Sequence, residues 1–120
     1  MNSKKQIGIG IVSLGWMGRL HARSYRSVSE RFPELGAEAR LVAAADPVVE
    51  AQRAAVEDLG FDRACSDYHE LLADPLVEAV SICSPNHLHQ EIALAAVEAG
   101  KPFWIEKPMG VDSGQSRAIA

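Results

Sequence analysis

Glu106-Lys107-Pro108 is the segment whose residue types most directly suggest chemistry, because it follows an apolar run at residues 102–105. Such a run is typical of a buried strand, and open parallel sheets bind ligands beyond the carboxyl ends of their strands. A lysine ammonium at that position can hold hydroxyl groups and take part in proton transfer. Glu106 would orient Lys107 or its loop. The alternative is that Lys107 is a solvated loop lysine beside Glu106.

A second candidate site opens the chain, where the apolar run at residues 7–12 leads into a glycine-containing turn at residues 13–18. The free N–H groups at a helix start can bind a phosphate, and glycine lets that phosphate approach the backbone closely. Gly15 and Gly18 occupy the second and third positions of the dinucleotide fingerprint. The turn therefore predicts a site for a dinucleotide pyrophosphate. The alternative is a plain strand–helix junction that uses both glycines for packing.

Three other residues of this turn are assigned to the same predicted site. Ser13 stands at the first fingerprint position, where glycine is usual. This departure from the pattern bears on how tightly the first turn can close. The Ser13 hydroxyl could donate to a phosphate. Trp16 and Met17 lie between the two glycines, in the first turn of the predicted helix.

Asp46 ends the second predicted strand, residues 40–45, where an acceptor for ribose hydroxyls belongs. It lies farther beyond Gly18 than the customary spacing of about 20 residues, and a turn-rich loop accounts for the excess. A carboxylate here would repel a 2′-phosphate, and no arginine directly follows it, so NAD is favoured over NADP. The alternative role is a helix N-cap before Pro47, and both roles can coexist.

Polar residues also follow the fourth predicted strand, residues 79–83. Ser84, Pro85 and Asn86 come where open α/β sheets bind ligands, so they are expected to line the nicotinamide ribose. Helix capping by Ser84 or Asn86 is the equally weighted alternative.

The histidines do not predict a metal site. His87 and His89 diverge by about 200° of rotation at a helix start, and no carboxylate or thiolate cluster is placed to complete a coordination sphere. His21, one turn into the first helix, is expected to be a packed or half-exposed histidine rather than a catalyst.

Composition narrows the class of protein. The chain has 120 residues, 48% of them hydrophobic, and a formal net charge of −4, which is typical of one globular domain. Basic residues are scattered, so nucleic-acid binding is not expected. There is no uncharged apolar run of about 18 residues that would span a membrane. Cys65 and Cys83 lack a C-x-x-C spacing and fall in predicted strands, which indicates a reducing, cytoplasmic setting.

Short apolar runs alternate with longer segments of helical period, the pattern of a doubly wound parallel sheet in a three-layer α/β/α, Rossmann-like fold. Strands are predicted at residues 7–12, 40–45, 63–65, 79–83 and 102–105. Helices are predicted at residues 16–28, at 48–59 with Pro47 before and Gly60 after, at 67–73 with Asp67 as cap, and at 87–99 with Gly100 as stop. A last helix is predicted to begin near Asp112 or Ser113. No cap or breaker residue marks its C-terminal end, so we expect the sequence to be cut from a longer protein.

Taken together, these motifs resemble the glucose–fructose oxidoreductase / inositol dehydrogenase / MocA family. The matching segments are Gly15-Trp16-Met17-Gly18-Arg19-Leu20-His21-Ala22, Ala45-Asp46-Pro47, Ser84-Pro85-Asn86-His87-Leu88-His89, and Gly100-Lys101-Pro102 through Glu106-Lys107-Pro108. The resemblance implies that residues 1–120 are an N-terminal NAD(P)-binding Rossmann domain and that the substrate domain is absent. It also implies that Lys107 is the catalytic-site lysine. The residues expected at the cofactor are Ser13, Gly15, Trp16, Met17, Gly18, Asp46, Ser84, Pro85, Asn86, His89, Glu106 and Lys107.

The resemblance further implies hydride exchange between nicotinamide and a sugar, cyclitol or related polyol. An aspartate and a histidine of the second domain would work beside the lysine, and that domain would often build a homo-oligomer. The isolated chain is then not expected to turn over. A dinucleotide-sensing or scaffolding module without chemistry is the rival hypothesis, motivated by Ser13 and by the missing domain.

Overall fold

A single parallel sheet organises the computed structural model, which describes residues 5–107 and 109–120; Pro108 of the Glu-Lys-Pro motif lies outside the described residues. The strands are β1 (Lys5–Val12), β2 (Ala37–Ala45), β3 (Arg63–Cys65), β4 (Ala79–Ile82) and β5 (Phe103–Ile105). Their order across the sheet is β3-β2-β1-β4-β5, and all neighbours are parallel. The strand order therefore reverses direction between β1 and β4, where a doubly wound sheet opens a crevice.

Helices cover both faces of this sheet. They are α1 (Trp16–Arg31), α2 (Val49–Glu57), α3 (Tyr68–Ala73), α4 (His89–Glu98) and α5 (Ser113–Ile119), with short 3₁₀ turns at Pro33–Leu35 and Asn86–Leu88. One buried cluster joins β1 and β2 to α1 and α2, and a second joins the sheet to α3, α4 and α5. The predicted three-layer α/β/α, Rossmann-like fold is confirmed.

The ends of several elements differ from the predictions. β1 and β2 begin two and three residues earlier than expected, because their exposed or half-buried first residues pair with each other outside the apolar runs. α1 continues to Arg31, three residues beyond its predicted end. Hydrophobic pattern marks only the buried part of an element, so paired but exposed ends escape it.

The turn before α2 also differs. The helix begins at Val49, one residue later than predicted, with Val48 as its N-cap, and Pro47 lies before the helix as expected. Its C-cap is Asp58, and Gly60, with φ +86°, lies two residues beyond that cap, so the prediction of Gly60 as the cap was wrong in register.

α4 ends as predicted, at a glycine. Gly100 has φ +74°, and its N–H donates to the Val97 carbonyl at 2.9 Å while the Lys101 N–H donates to the Ala96 carbonyl at 3.0 Å. This pair of bonds is a Schellman motif, which needs a left-handed residue that glycine supplies without strain. The start of α4 differs, because residues 86–88 form a 3₁₀ turn ahead of His89.

Among the described residues, no helix combines the length and apolar character needed to cross a membrane.

Candidate functional site

A cleft of about 530 Å³ lies at the carboxyl ends of β1, β2 and β4. Its walls are the turn from β1 into α1, the turn from β2 into α2, and the segment after β4. From the predicted site residues it draws Ser13, Gly15, Asp46, Ser84 and Pro85. The cleft occupies the place where the strand order reverses, which is where doubly wound sheets bind their ligands.

Ser13 makes the first turn of the fingerprint in a left-handed conformation, with φ +78°. Within residues 5–107 and 109–120 it is the one non-glycine residue with a positive φ. Its N–H donates to the Ala45 carbonyl at 2.7 Å, so the turn closes against β2. The first fingerprint position therefore requires the conformation that glycine adopts freely, and serine adopts it here at a cost of about 1–2 kcal/mol.

The two glycines serve different needs. A Cβ built on Gly18 would lie 2.0 Å from the Ser13 carbonyl oxygen, so only glycine allows α1 to pack this closely against the turn. Gly15 is the N-cap of α1, and a Cβ there would meet nothing within 4 Å. The first turn of α1 carries no acidic residue. The helix N-terminus is thus open and electropositive, as a bound pyrophosphate requires.

Asp46 ties the two turns of the cleft together and is 8% exposed. One carboxylate oxygen accepts from the Leu14 N–H at 2.8 Å and the other from the Val48 N–H at 2.9 Å. Because Val48 is the N-cap of α2, Asp46 caps the turn before the helix and not the helix itself. Each carboxylate oxygen has a second lone pair, so the same side chain can also accept from ribose hydroxyls.

Ser84 contributes a buried polar atom that points to a ligand. Its hydroxyl oxygen has no hydrogen-bond partner in the part of the chain that the structure describes, although the side chain borders the cleft. The helical N-caps in this segment are Pro85 and Leu88, so the alternative role of Ser84 or Asn86 as a helix cap is not observed. A buried hydroxyl without a partner costs free energy unless a ligand or water satisfies it.

His89 lies behind the cleft and is 2% exposed. Its Nε2 donates to the Ser84 carbonyl at 2.8 Å, and its Nδ1 lies 3.2 Å from the Met109 carbonyl oxygen. His89 therefore ties the Ser84 turn to the segment after Lys107 instead of lining the cleft. No group of three or more metal-ligating side chains occurs within residues 5–107 and 109–120.

The remaining predicted residues lie outside the lining of the cleft as described. Trp16 is 79% exposed in the first turn of α1, and Lys107 is exposed just after β5. Met17, Gly18, Asn86, His89 and Glu106 also fall outside this lining. Arg19, which the sequence reasoning did not select, does line it, with its Nε donating to the Leu14 carbonyl at 3.2 Å.

His21 and Glu106 form a contact that the sequence reasoning missed. The His21 Nε2 lies 2.6 Å from a Glu106 carboxylate oxygen, and the His21 Nδ1 lies 3.2 Å from the Ser81 hydroxyl, which also contacts Tyr25 at 2.6 Å. Two features of the sequence could have indicated part of this contact. Ser81 interrupts an apolar strand, and His21 and Tyr25, four residues apart on α1, lie on one face of that helix. His21 is packed, as expected, and Glu106 contacts α1.

Two groups near the cleft remain protonated. Burial, and then the Glu106 charge, raise the pKa of the Cys83 thiol to about 12, so it is no nucleophile at neutral pH. Burial, followed by the hydrogen bond to Glu91, raises the pKa of Tyr68 above its ordinary value.

Known proteins are similar to this chain in both sequence and fold. Residues 7–120 match the Gfo/Idh/MocA model, described as an oxidoreductase family with an NAD-binding Rossmann fold. Levoglucosan dehydrogenase of Pseudarthrobacter phenanthrenivorans is 35% identical over 96% of this chain and 30% of its own length. Myo-inositol 2-dehydrogenase of Thermotoga maritima is 34% identical over 87% of this chain and 29% of its own.

Among solved structures, levoglucosan dehydrogenase in complex with NADH and levoglucosan superposes with a TM-score of 0.90 at 33% identity. That match covers 96% of this chain and 31% of the other. The chain thus spans about 30% of the length of the curated relatives that it matches. Since the family model covers nearly every residue, the chain belongs to the Gfo/Idh/MocA oxidoreductase family, of which it carries the NAD-binding Rossmann domain.

Proposed function

We propose that this chain is the cofactor-binding part of an oxidoreductase that exchanges hydride between NAD and a hydroxyl group of a sugar, cyclitol or related polyol. The observation that carries the proposal is one cleft that combines the open N-terminus of α1 with the Asp46 carboxylate and the buried Ser84 hydroxyl. Relatives named as levoglucosan and inositol dehydrogenases support the substrate class.

The residues divide the work along the cleft. The free N–H groups at the start of α1, next to Gly15, bind the pyrophosphate. Asp46 accepts from the adenosine ribose, and Ser84 with Pro85 lines the nicotinamide ribose. When bound, NAD supplies a nicotinamide ring that accepts or returns a hydride. Lys107 then holds the substrate hydroxyl and moves its proton. Trp16, Met17 and Asn86 are assigned to the cofactor from outside the lining of the cleft, and His89 holds the Ser84 turn from behind it.

The cofactor preference follows from Asp46. Its carboxylate is fixed by two backbone donors, so it cannot turn away from a 2′-phosphate without losing both bonds. A fixed negative charge repels that phosphate, which favours NAD over NADP.

Calorimetric titration of this chain with NAD(H) and NADP(H) tests the proposal. We expect saturable binding with NAD(H) preferred. Gly15→Glu should abolish it, because the added carboxylate occupies the phosphate position at the helix N-terminus, where nothing else obstructs it. Gly15→Ala is the matched control and should bind better than Gly15→Glu. Equal binding of NADH by the wild type and Gly15→Glu would refute this placement.

Catalysis is tested in the complete polypeptide that carries this domain. Lys107→Ala should lower kcat about 10²-fold or more while the Kd for NADH changes little, since a general acid–base group contributes typically 10²–10⁴-fold. Equal losses in turnover and cofactor binding would contradict the proton-transfer role.

The rival function is a dinucleotide-sensing or scaffolding module, favoured by the strained serine at the first fingerprint position. Downstream sequence separates the two. A reading frame that continues into a substrate domain with an aspartate and a histidine near Lys107 supports the enzyme. A native stop after Ala120 supports the module.

Setting and assembly belong to the same proposal. Cys65 and Cys83 are both free thiols, which supports a reducing, cytoplasmic compartment. Assembly into a homo-oligomer would use the second domain, and neither nucleic acid nor membrane is a proposed partner.

A further inference from the structure

We infer that His21 is a positioning residue: it holds Glu106, and through Glu106 the backbone that carries Lys107, at a fixed place relative to the pyrophosphate-binding helix. The inference rests on the proposed function, because it gives Lys107 a reason to be positioned. His21 lies on α1 and Glu106 directly follows β5, so their contact joins two separate parts of the fold.

The contact is close and shielded. The His21 Nε2 and a Glu106 carboxylate oxygen lie 2.6 Å apart, and the two side chains are 15% and 23% exposed. Hydrogen bonds to a carboxylate are among the strong ones in proteins, and a partly buried hydrogen bond is electrostatically stronger than one in water. The pair can therefore restrain the backbone at Glu106.

The proton positions follow from chemistry. An ionised Glu106 carboxylate only accepts, so the His21 Nε2 must carry a hydrogen. In the neutral ring Nδ1 then accepts from the Ser81 hydroxyl, whose oxygen in turn accepts from the Tyr25 hydroxyl. Every polar group in this chain of four is satisfied in that one direction. The arrangement fixes both the tautomer and the ring orientation of His21.

The backbone at Glu106 has a second anchor. The Glu106 N–H donates to the Ile82 carbonyl at 3.1 Å, which continues the β4–β5 ladder by one residue. Main chain and side chain of Glu106 are thus both held, and Lys107 is the next residue. Loss of the side-chain contact removes one of the two hydrogen bonds that hold Glu106, the residue before Lys107, among the described residues.

The other partner in this contact, His21, lies on α1, the helix whose N-terminus is proposed to bind the cofactor. His21 lies in the second turn of α1, and Gly15 caps the same helix at the pyrophosphate position. One rigid element therefore sets the distance between the phosphate site and the Lys107 turn. A displacement of about 1 Å in a catalytic group can cost about 10²-fold in rate.

The first test uses the complete polypeptide. His21→Leu should lower kcat about 10- to 100-fold while the KM for NAD changes little, and His21→Gln, which keeps a donor toward Glu106, should recover most of that loss. His69→Gln is the matched control, because His69 is exposed on α3 and pairs with Asp67. An unchanged kcat in His21→Leu, in an enzyme whose kcat falls in Lys107→Ala, overturns the inference.

A second measurement needs no turnover. Long-range ¹H–¹⁵N NMR of this chain should show neutral His21 as the Nε2–H tautomer, and Ser81→Ala should weaken that preference. An Nδ1–H tautomer in the wild type overturns the inference, since Nε2 could not then donate to Glu106. If Lys107→Ala leaves kcat unchanged, the proposed role of Lys107 fails, and the tautomer still decides the contact. The NMR result stands even where His21→Leu does not fold.

Discussion

Ser13 is held in a left-handed backbone conformation that L-residues rarely adopt. A substitution that removes this strain should change the free energy of unfolding measurably. Ser13→Gly removes a conformational cost of about 1–2 kcal/mol, while the extra freedom of glycine in the unfolded chain returns about 0.5–1 kcal/mol. We expect a net gain between zero and about 1.5 kcal/mol in the free energy of unfolding, measured by urea denaturation.

Ser66→Gly is the matched control for Ser13→Gly, because Ser66 is an exposed serine that also borders the cleft and has no positive φ. Glycine should destabilise the chain at that position. If both substitutions lower the stability equally, the left-handed conformation of Ser13 is not what sets the stability of the turn.

At the scale of single residues, the sequence indicated which residues matter better than it predicted their contacts. Ser13 was recognised as a departure, since one residue in a known motif differs, but its φ depends on the path between β1 and α1. The contact between His21 and Glu106 was not predicted, because 85 positions separate the two residues and only the finished sheet brings them together. Asp46 was placed correctly at a strand end, yet its two backbone donors come from turns that the fold supplies.

At the scale of elements, Asp74 links α3, the start of the turn to β4, and β3. Its carboxylate accepts from the Leu76 N–H at 2.8 Å and from the Arg63 guanidinium at 3.0 Å, and its side chain is 12% exposed. The Leu76 hydrogen bond, assisted by Arg63 and opposed by burial, holds the pKa of Asp74 below its ordinary value of 3.8.

A lowered pKa in the folded state gives stability that is complete above the unfolded value and is lost as the pH falls through the folded value. Asp74→Asn should therefore be less stable than the wild type at about pH 5.5, and the difference should shrink by about pH 2.5. Urea denaturation at both pH values measures the difference, with Glu57→Gln, at an exposed position of α2, as control. A difference that stays constant with pH would show that the Asp74 charge does not contribute.

The sequence predicted the start or end of a helix correctly where one capping residue determines it. Asp67 caps α3 by accepting from the His69 N–H, as its position before the helix indicated, and Gly100 ends α4. The 3₁₀ turn at Asn86–Leu88 and the register of Gly60 were not predicted. The 3₁₀ turn depends on how the chain leaves β4 toward the cleft, and the place of Gly60 depends on how the chain leaves α2 toward β3. The type of a single residue fixes neither path.

At the scale of the whole molecule, the cleft joins the two halves of the sheet. Ser13 and Asp46 come from the half with β1 and β2, and Ser84 and Pro85 follow β4 in the other half. A ligand that contacts both halves stabilises the entire fold, because local opening of either half would break its contacts.

NADH at about 100 times its Kd should raise the free energy of unfolding of this chain by about 2.7 kcal/mol, if it binds the folded state alone. Thermal denaturation with increasing NADH measures the effect, and NADPH should give a smaller shift because of the Asp46 carboxylate. Gly15→Glu supplies the internal control, since it blocks the phosphate position without touching the packed core. A shift of equal size in Gly15→Glu would mean that NADH stabilises the chain from a site other than this cleft.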